Sequence, residues 1–159
     1  MAAPVLMGYP VETPDTDSRI VQVEKFFRSY RSPLAAYASD FLAAADTHHL
    51  DWRLLPSLAI IESGGKAHAN NNVFGWANGR YSFPNVRDSI HHLADMLNNG
   101  VVYRNKDLEG KLRTYNPRNL RYGAFVLSVM NQLGPEGPMN QLGPEGPKDQ
   151  LGPKAPRIN

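Results

Sequence analysis

A single glutamate has the clearest chemical potential in this chain. Glu62 directly follows residues 54–61, an apolar run in which Ser57 is the one polar side chain. Burying a carboxylate charge is costly, so we expect a glutamate at this position to stay protonated. A protonated carboxylic acid that faces amides and aromatic rings is the general acid with which a glycosidase protonates a leaving sugar oxygen. The alternative is an ordinary helix-end glutamate that is solvated or bonded to backbone N–H.

A loop rich in amides and aromatic rings follows Glu62. Amide groups both donate and accept hydrogen bonds, which suits acetamido groups and hydroxyls, and aromatic faces can stack on the C–H faces of sugars. The alternative is that the asparagines form a turn and the aromatic rings pack in the core. We predict these substrate-binding residues: Ser63, Asn71, Asn72, Phe74, Gly75 and Trp76.

An ordered series of short motifs resembles the bacterial lysozyme-like glucosaminidase and lytic transglycosylase group. The resemblance covers about residues 19 to 133, and it implies a helical lysozyme-like fold with Glu62 as the general acid. It also implies a substrate, the glycan strand of peptidoglycan. The motifs are Ser32-Pro33-Leu34 with Tyr37 and Ala38, Leu50-Asp51, Leu54-Leu55, Ile61-Glu62-Ser63-Gly64, Asn71-Asn72-Val73-Phe74-Gly75 and Tyr115-Asn116-Pro117.

The same resemblance implies a second catalytic residue, Tyr115. In the resembled families a tyrosine just before the last long helix faces the catalytic glutamate across the groove, and Tyr115 matches that position. Its hydroxyl could hold the acetamido group of the reacting sugar or stabilise developing charge, and Asn116 beside it is predicted to bind substrate. The alternative is that Tyr115 packs on the core and Asn116-Pro117 is a turn.

A second catalytic carboxylate is missing from the expected place. No Asp or Glu lies between Ser63 and Arg87, although a two-carboxylate glycosidase needs a partner about 5 to 9.5 Å away. Asp88 begins a predicted helix, where an acidic residue usually interacts with the helix dipole. The 2-acetamido oxygen of the sugar could therefore attack C1 instead. Water would then complete a hydrolysis, and the muramyl C6 hydroxyl would complete a lytic transglycosylation.

Composition excludes several other classes of function. The chain has 159 residues, enough for one domain, and no cysteine, so thiolate chemistry and disulfides are excluded. The net charge is +2, and no Lys/Arg run indicates nucleic-acid binding. No apolar run approaches the roughly 18 residues of a membrane span. The histidines lack metal-ligand spacing, so we expect neither a metal nor a cofactor.

The location of the protein follows from its predicted substrate. The first seven residues are too short and too uncharged for a secretory signal. We therefore expect either that export does not use that route or that a signal has been removed. Peptidoglycan as substrate predicts a protein of the cell envelope or a secreted one.

Hydrophobic periodicity predicts a mainly α fold, a lysozyme-like helical domain with a small loop or hairpin lobe. Strand signals are almost absent apart from a short hairpin near residues 76–83. Helix-start residues and apolar periods predict helices from Ser18, from Ser32-Pro33, from Asp51, over 85–98, over 107–115 and over 119–133, the last being apolar on nearly all sides.

Three segments make up the predicted domain organisation: a flexible lead-in at 1–17, a catalytic domain at 18–133 and a tail at 134–159. The eight residues from Asn131 to Pro138 recur at 140–147, and a degraded copy starts at Asp149. Each unit has one large apolar residue, too little to offset the entropy of ordering it, so we predict disorder. Two rival hypotheses remain: a non-catalytic glycan-binding or structural module, and a cell-wall-piercing part of a larger assembly whose partner binds the tail.

Overall fold

Helices dominate the fold. The computed structural model describes residues 16–67 and 69–135, which contain six α-helices and no strand. The mainly α prediction is confirmed. The predicted hairpin near residues 76–83 is wrong, because turns fill this segment and side-chain amides, rather than a partner strand, bind its backbone. The helices are α1 (Ser18–Ser29), α2 (Ala38–Thr47), α3 (Leu54–Ser63), α4 (Val86–Asn99), α5 (Leu108–Tyr115) and α6 (Tyr122–Met130), with 3-10 helices at Pro33–Tyr37 and Asn131–Leu133.

Polar caps explain where half of the described helices begin. Asp17, Ser32, Asn85 and Asp107 each accept a hydrogen bond from a backbone N–H in the first turn of the helix that follows. Three predicted starts differ from the structure. The helix predicted from residue 119 begins at Tyr122, because Asn119 Oδ1 accepts from the backbone N–H of Arg121 at 3.0 Å and closes a turn. The segment after Ser32-Pro33 forms a 3-10 helix before α2 begins. Asp51 accepts from the backbone N–H of Arg53 at 2.9 Å and thereby closes a turn, so α3 begins at Leu54.

Helix α3 lies at the centre of the core. It packs against α2 and α6, and its residues from Leu54 to Ala59 are all buried. The helix emerges from the core only in its last turn, where Ile60 and Ile61 are half-buried. A helix that is apolar on most sides is expected to be central, and α3 fits that rule.

Helix α6 is also apolar on nearly all sides, but it lies at the edge of the core. Tyr122, Val126 and Val129 face inward, whereas Phe125 and Leu127 on the outer side are exposed. An apolar composition on nearly all sides therefore does not enclose α6 as it encloses α3 within the described residues.

Both predicted flexible ends fall almost wholly outside the described residues. The lead-in at 1–17 is described only for residues 16 and 17, and the tail only for 134 and 135, so the predicted disorder stays a prediction. The ordered domain includes at least the start of the first repeat, since Leu133 is buried and Arg53 Nη1 donates to the Gly134 carbonyl at 3.1 Å. No helix within the described ranges has the length and apolar character needed to cross a membrane.

Candidate active site

Glu62 stands where α3 leaves the core. The helix is buried up to Ala59, and the carboxylate lies in the final turn with its side chain exposed. The expectation that its charge is buried is therefore wrong, because the buried part of α3 ends at Ala59, about one turn before Glu62. Solvent access means that a polymer lying over this surface can reach the carboxylate.

A buried tyrosine holds the carboxylate. The Tyr122 hydroxyl donates a hydrogen bond to Glu62 Oε1, and Tyr122 is the first residue of α6, which packs against α3. Within the described residues this is the one hydrogen bond made by the Glu62 side chain, so Oε2 is open to a ligand. Sequence reasoning missed Tyr122. The available signal was a polar aromatic residue at the start of an otherwise apolar helix.

Two further tyrosines complete a cluster around this hydrogen bond. The rings of Tyr115 and Tyr122 stack with centroids 5.9 Å apart and an interplanar angle of 16°. Burial raises the pKa of Tyr115, and the nearby charges of Glu62 and Tyr103 raise it further. Burial also raises the pKa of Tyr122, followed by the hydrogen bond to Glu62 and the charges of Glu62, Tyr115 and Tyr103. Both phenols therefore remain protonated donors at neutral pH.

The structure brings Glu62 and Tyr115 together through Tyr122. No hydrogen bond to the Tyr115 hydroxyl is present within the described residues, and Tyr115 is only partly buried, so its hydroxyl can bond a ligand. Asn116 directly after it ends α5, and its backbone N–H donates to the Leu112 carbonyl at 3.1 Å. The predicted binding roles of Tyr115 and Asn116 stay predictions.

The turn after Glu62 is locked by local contacts. Ser63 Oγ donates to the Ala59 carbonyl at 2.9 Å, so its proton serves the helix end, and its predicted role in substrate binding stays a prediction. Gly64 adopts a left-handed φ of 64° and its N–H closes the helix on the Ile60 carbonyl. A Cβ at Gly65 would lie 2.7 Å from Ser32 Oγ, so only glycine fits there.

The asparagine loop turns its amides inward. Asn72 is 1% exposed; its Nδ2 donates to the carbonyls of Trp76 at 2.8 Å and Tyr81 at 3.0 Å, and its Oδ1 accepts from Trp76 N at 2.8 Å. Asn71 Nδ2 donates to the Phe83 carbonyl at 2.9 Å. These bonds satisfy the backbone of a segment without regular structure. Direct substrate contact by the buried Asn72 is therefore a prediction that we correct, whereas the predicted role of the half-buried Asn71 stays a prediction.

The aromatic residues of the loop divide between core and surface. Phe74 is buried and packs edge-on against Phe41 at 6.4 Å, which corrects its assignment to substrate binding. Trp76 is half-buried with its ring 5.8 Å from that of His92, so part of it remains accessible. Its role in binding stays a prediction.

Gly75 connects the loop to the glutamate. Its φ is 63°, and a Cβ built on it would lie 3.8 Å from the Glu62 carbonyl oxygen, so the two backbones are neighbours. A cavity of about 420 Å³ opens beside it, lined by Ala69, Asn70, Gly75 and Gly79. The loop therefore lies against the backbone at the end of α3, and its own backbone and cavity are what it presents to a ligand.

Other candidate groups do not join this cluster. Asp88 lies exposed in the first turn of α4 and accepts from Asn85 Nδ2 at 3.1 Å, as expected for an acid at a helix start. Glu62 is the one carboxylate whose charge raises the pKa values of the described tyrosines. Within 16–67 and 69–135, no group of three His, Cys, Asp or Glu residues could hold a metal ion. His68 lies outside the described residues.

Comparisons with protein-family models, with curated proteins and with solved structures give no match. Fold and site together define a mainly α domain in which the exposed Glu62 carboxylate accepts a hydrogen bond from Tyr122, a member of a tyrosine cluster.

Proposed function

We propose that this protein has a lysozyme-like fold and is a glycosidase that cleaves β-1,4 bonds in the glycan strands of peptidoglycan, as an N-acetylglucosaminidase does. The observation that carries the proposal is the hydrogen bond from the buried Tyr122 hydroxyl to the exposed carboxylate of Glu62. A carboxyl group positioned by a second group and open on its other oxygen is what general acid catalysis needs.

The open oxygen explains how Glu62 would work. Tyr122 fixes Oε1, so Oε2 can approach the glycosidic oxygen of a strand that lies over the end of α3. A bound strand would also displace water from this surface. After cleavage the same carboxylate can act as base, because the acid has given up its proton to the leaving group.

The missing partner carboxylate supports a substrate-assisted reaction. Within the described residues Glu62 is the one carboxylate whose charge raises the pKa values of Tyr115 and Tyr122. The neighbouring Tyr115 hydroxyl is open to a ligand. That hydroxyl could orient the 2-acetamido oxygen for attack on C1. If water ends the reaction the protein is a hydrolase, and if the muramyl C6 hydroxyl ends it the protein is a lytic transglycosylase with the same glutamate.

The loop supports a polymer ligand beside the carboxylate. Its cavity of about 420 Å³ falls within the roughly 300–1,000 Å³ of ligand sites, and its edge includes Gly75 next to Glu62. The partly accessible ring of Trp76 can stack on a sugar face. A substrate of this kind places the protein at the cell envelope or outside the cell.

The second candidate is a non-catalytic glycan-binding or structural module. The observation in its favour is the loop, whose asparagine amides serve the fold rather than a reaction. In this case Glu62 would be inert, and the repeat tail could bind a partner in a larger cell-wall assembly.

One experiment separates these functions. Purified sacculi are incubated with the full chain, and soluble muropeptides are measured. Release of muropeptides supports the enzyme, whereas co-sedimentation of the protein without release supports the binding module and contradicts the proposal. Mass analysis of the released ends distinguishes reducing sugars, which indicate hydrolysis, from anhydro sugars, which indicate transglycosylation.

A further inference from the structure

Three aromatic rings meet at His92 on α4. The ring of Trp76 lies 5.8 Å from that of His92, measured between centroids, at an interplanar angle of 76°. The ring of Tyr81 is nearly parallel to that of His92, at 6.1 Å and 16°. Phe83 contacts both Tyr81, at 4.8 Å, and His92, at 5.4 Å. These direct contacts gather the rings of the loop segment 76–83 at one place on α4.

The cluster has a buried base and accessible outer rings. Phe83 is 9% exposed, whereas Tyr81 is 48% exposed and His92 is exposed as well. The Tyr81 carbonyl accepts from two amides, Asn70 Nδ2 at 3.1 Å and Asn72 Nδ2 at 3.0 Å. Much of the exposed surface of Tyr81 therefore belongs to its ring, which a flat ligand can cover.

The backbone of the loop fixes the positions of the accessible rings. Asn72 Nδ2 donates to the carbonyls of Trp76 at 2.8 Å and Tyr81 at 3.0 Å, so one buried amide holds both residues. Between them, Ala77 and Asn78 have left-handed φ values of 53° and 55°. This conformation is unfavourable for residues with a Cβ, and residues held in it collect at ligand sites. The buried amide and the strained turn together bring two separate rings to the same histidine.

The cavity of about 420 Å³ reaches the same part of the loop. Asn70 and Gly79 belong to its lining, and Asn70 Nδ2 donates to the carbonyls of Gly79 at 2.6 Å and Tyr81 at 3.1 Å. Its other lining residues, Ala69 and Gly75, are also uncharged. A ligand in this cavity would meet neutral amide and backbone groups beside the aromatic rings.

We propose that Trp76, Tyr81 and His92, which we call the aromatic platform, form a subsite that binds one N-acetylated sugar ring of a glycan strand. The inference rests on the proposed function, because that function supplies the glycan. The C–H face of the sugar would stack on the platform, and its hydroxyl and acetamido groups would bond the amide and backbone groups of the cavity. A nucleic-acid base can also stack, but nucleic acid requires several cations, and Arg80 is the one cation in residues 69–83.

The aromatic platform would contribute affinity and leave the chemistry to Glu62. A stacked ring holds the sugar equally in the ground state and in the transition state, so its loss raises KM and leaves kcat nearly unchanged. The platform is thus distinguished from the tyrosine cluster by the kinetic parameter on which it acts.

Tryptophan fluorescence measures binding to the full chain. Trp76 is half-buried at the platform, whereas Trp52, the one other tryptophan, is 6% exposed in the core. A tetramer of β-1,4-linked N-acetylglucosamine is titrated into the Glu62→Gln variant, so that binding is measured without cleavage. We expect a saturable change in emission that Trp76→Phe abolishes.

Two substitutions at Tyr81 test the stacking itself. Tyr81→Ala should weaken binding of the tetramer about tenfold, the effect of returning about 50 Å² of apolar surface to water. Tyr81→Phe keeps the ring and should bind like the parent. The matched control is Tyr30→Ala, which removes a tyrosine that is 38% exposed and bonds Gln132 instead of the platform. Unchanged melting temperatures confirm that each variant is folded.

Three results would overturn the proposal. The first is that the tetramer causes no change in emission. The second is that Tyr81→Ala binds the tetramer as tightly as the parent does. The third is that a single-stranded oligodeoxynucleotide changes the emission of Trp76 and the tetramer does not, which assigns the platform to bases.

Muropeptide release from sacculi separates the platform from the glycosidase proposal. Binding that depends on Tyr81, without release by the parent chain, supports the platform and contradicts only the glycosidase. Release with the same KM in the parent and in Tyr81→Ala overturns the platform and leaves the glycosidase standing. A raised KM with an unchanged kcat supports both.

Discussion

The end of α3 and the asparagine loop are neighbours with opposite uses of polar side chains. Glu62 is exposed and has one hydrogen bond, from Tyr122. Asn72 is buried and has three, all with the backbone of its own loop. A side chain whose bonding capacity is spent on the backbone shapes a site, whereas one with capacity left can act on a ligand.

This difference assigns chemistry to one region and architecture to the other. The tyrosine cluster has a donor fixed on a carboxylate, and the loop supplies a wall and a cavity held in place by amides. Substitutions in the first region should therefore change rates, and substitutions in the second should change stability. The following predictions test that division.

The largest effect of losing a positioning group is expected at Tyr122. Tyr122→Phe keeps the ring in the core but removes the donor to Glu62, so muropeptide release should fall about 10² to 10³-fold, or about 2.7–4 kcal/mol in barrier. Stability should change little, since Glu62 is exposed and can bond water.

Two phenylalanine substitutions serve as comparisons for that rate. Tyr115→Phe should lower turnover more than it lowers glycan affinity. Tyr30→Phe should leave the rate unchanged, because its hydroxyl donates to Gln132 and not to a residue of the candidate site. Equal rates for the parent and Tyr122→Phe would remove the tyrosine from the proposed site.

Asn72→Ala should mainly destabilise the fold. It leaves the carbonyl and the N–H of Trp76 without their partner, whereas the Tyr81 carbonyl keeps the bond from Asn70 Nδ2 at 3.1 Å, and unpaired buried groups cost about 1–3 kcal/mol each. We expect the free energy of unfolding in urea to fall by about 3 kcal/mol. Asn70→Ala removes hydrogen bonds that Nδ2 donates at exposed positions, so it should lower the free energy of unfolding by less. A stable variant that has lost only activity would instead place Asn72 in the catalytic region.

Alkaline pH should lower the free energy of unfolding through the buried phenols of Tyr115 and Tyr122. The folded protein raises the pKa values of Tyr115 and Tyr122 above their usual 10.0. The unfolded chain then gives up these protons first, so their stabilisation is complete below pH 10 and is lost as pH rises above it. The slope is about 1.4 kcal/mol per pH unit for each tyrosine.

Denaturation in urea between about pH 10 and pH 11 measures this slope. Tyr122→Phe should flatten it, whereas Asn72→Ala should leave it unchanged. An unaltered slope in Tyr122→Phe would show that the buried phenol is not the group that titrates.

The smallest effect is expected from removing the tail. A chain that ends at Gly134 retains buried Leu133 and the Gly134 contact with Arg53. The tyrosine cluster and the asparagine loop should then be unaffected, and the melting temperature should lie within a few degrees of that of the full chain. Leu133→Ala is the positive control, at about 2–5 kcal/mol. A large drop on truncation would place the domain boundary further along the tail.

Much of the fold follows from signals that are local in the sequence. Asn85 and Asp107 are cap residues followed by apolar periods, and the helices after them begin where predicted. The errors arise where local signals compete or tertiary contacts decide. Ser32-Pro33 suits either helix type, and the exposed outer side of α6 depends on what packs against it.

The candidate site is predictable in part for the same reason. A carboxylate after an apolar run identifies Glu62. The sequence does not show, however, that α3 leaves the core after Ala59, about one turn before the glutamate. The partner Tyr122 is 60 residues away along the chain, and only the packing of α3 on α6 brings the two together. A run of asparagines looks the same in the sequence whether the amides bind sugars or backbone groups. Only the structure shows that the Asn72 amide points inward and binds the backbone of its own loop.

The most direct test of the central claim is muropeptide release by Glu62→Gln. The amide keeps the shape of the side chain and can still accept from Tyr122, but it cannot donate the proton that the leaving sugar needs. Release from sacculi should fall about 10² to 10⁴-fold with an unchanged melting temperature, whereas Glu24→Gln on α1 should release muropeptides like the parent. Release by Glu62→Gln at the parental rate would contradict the account.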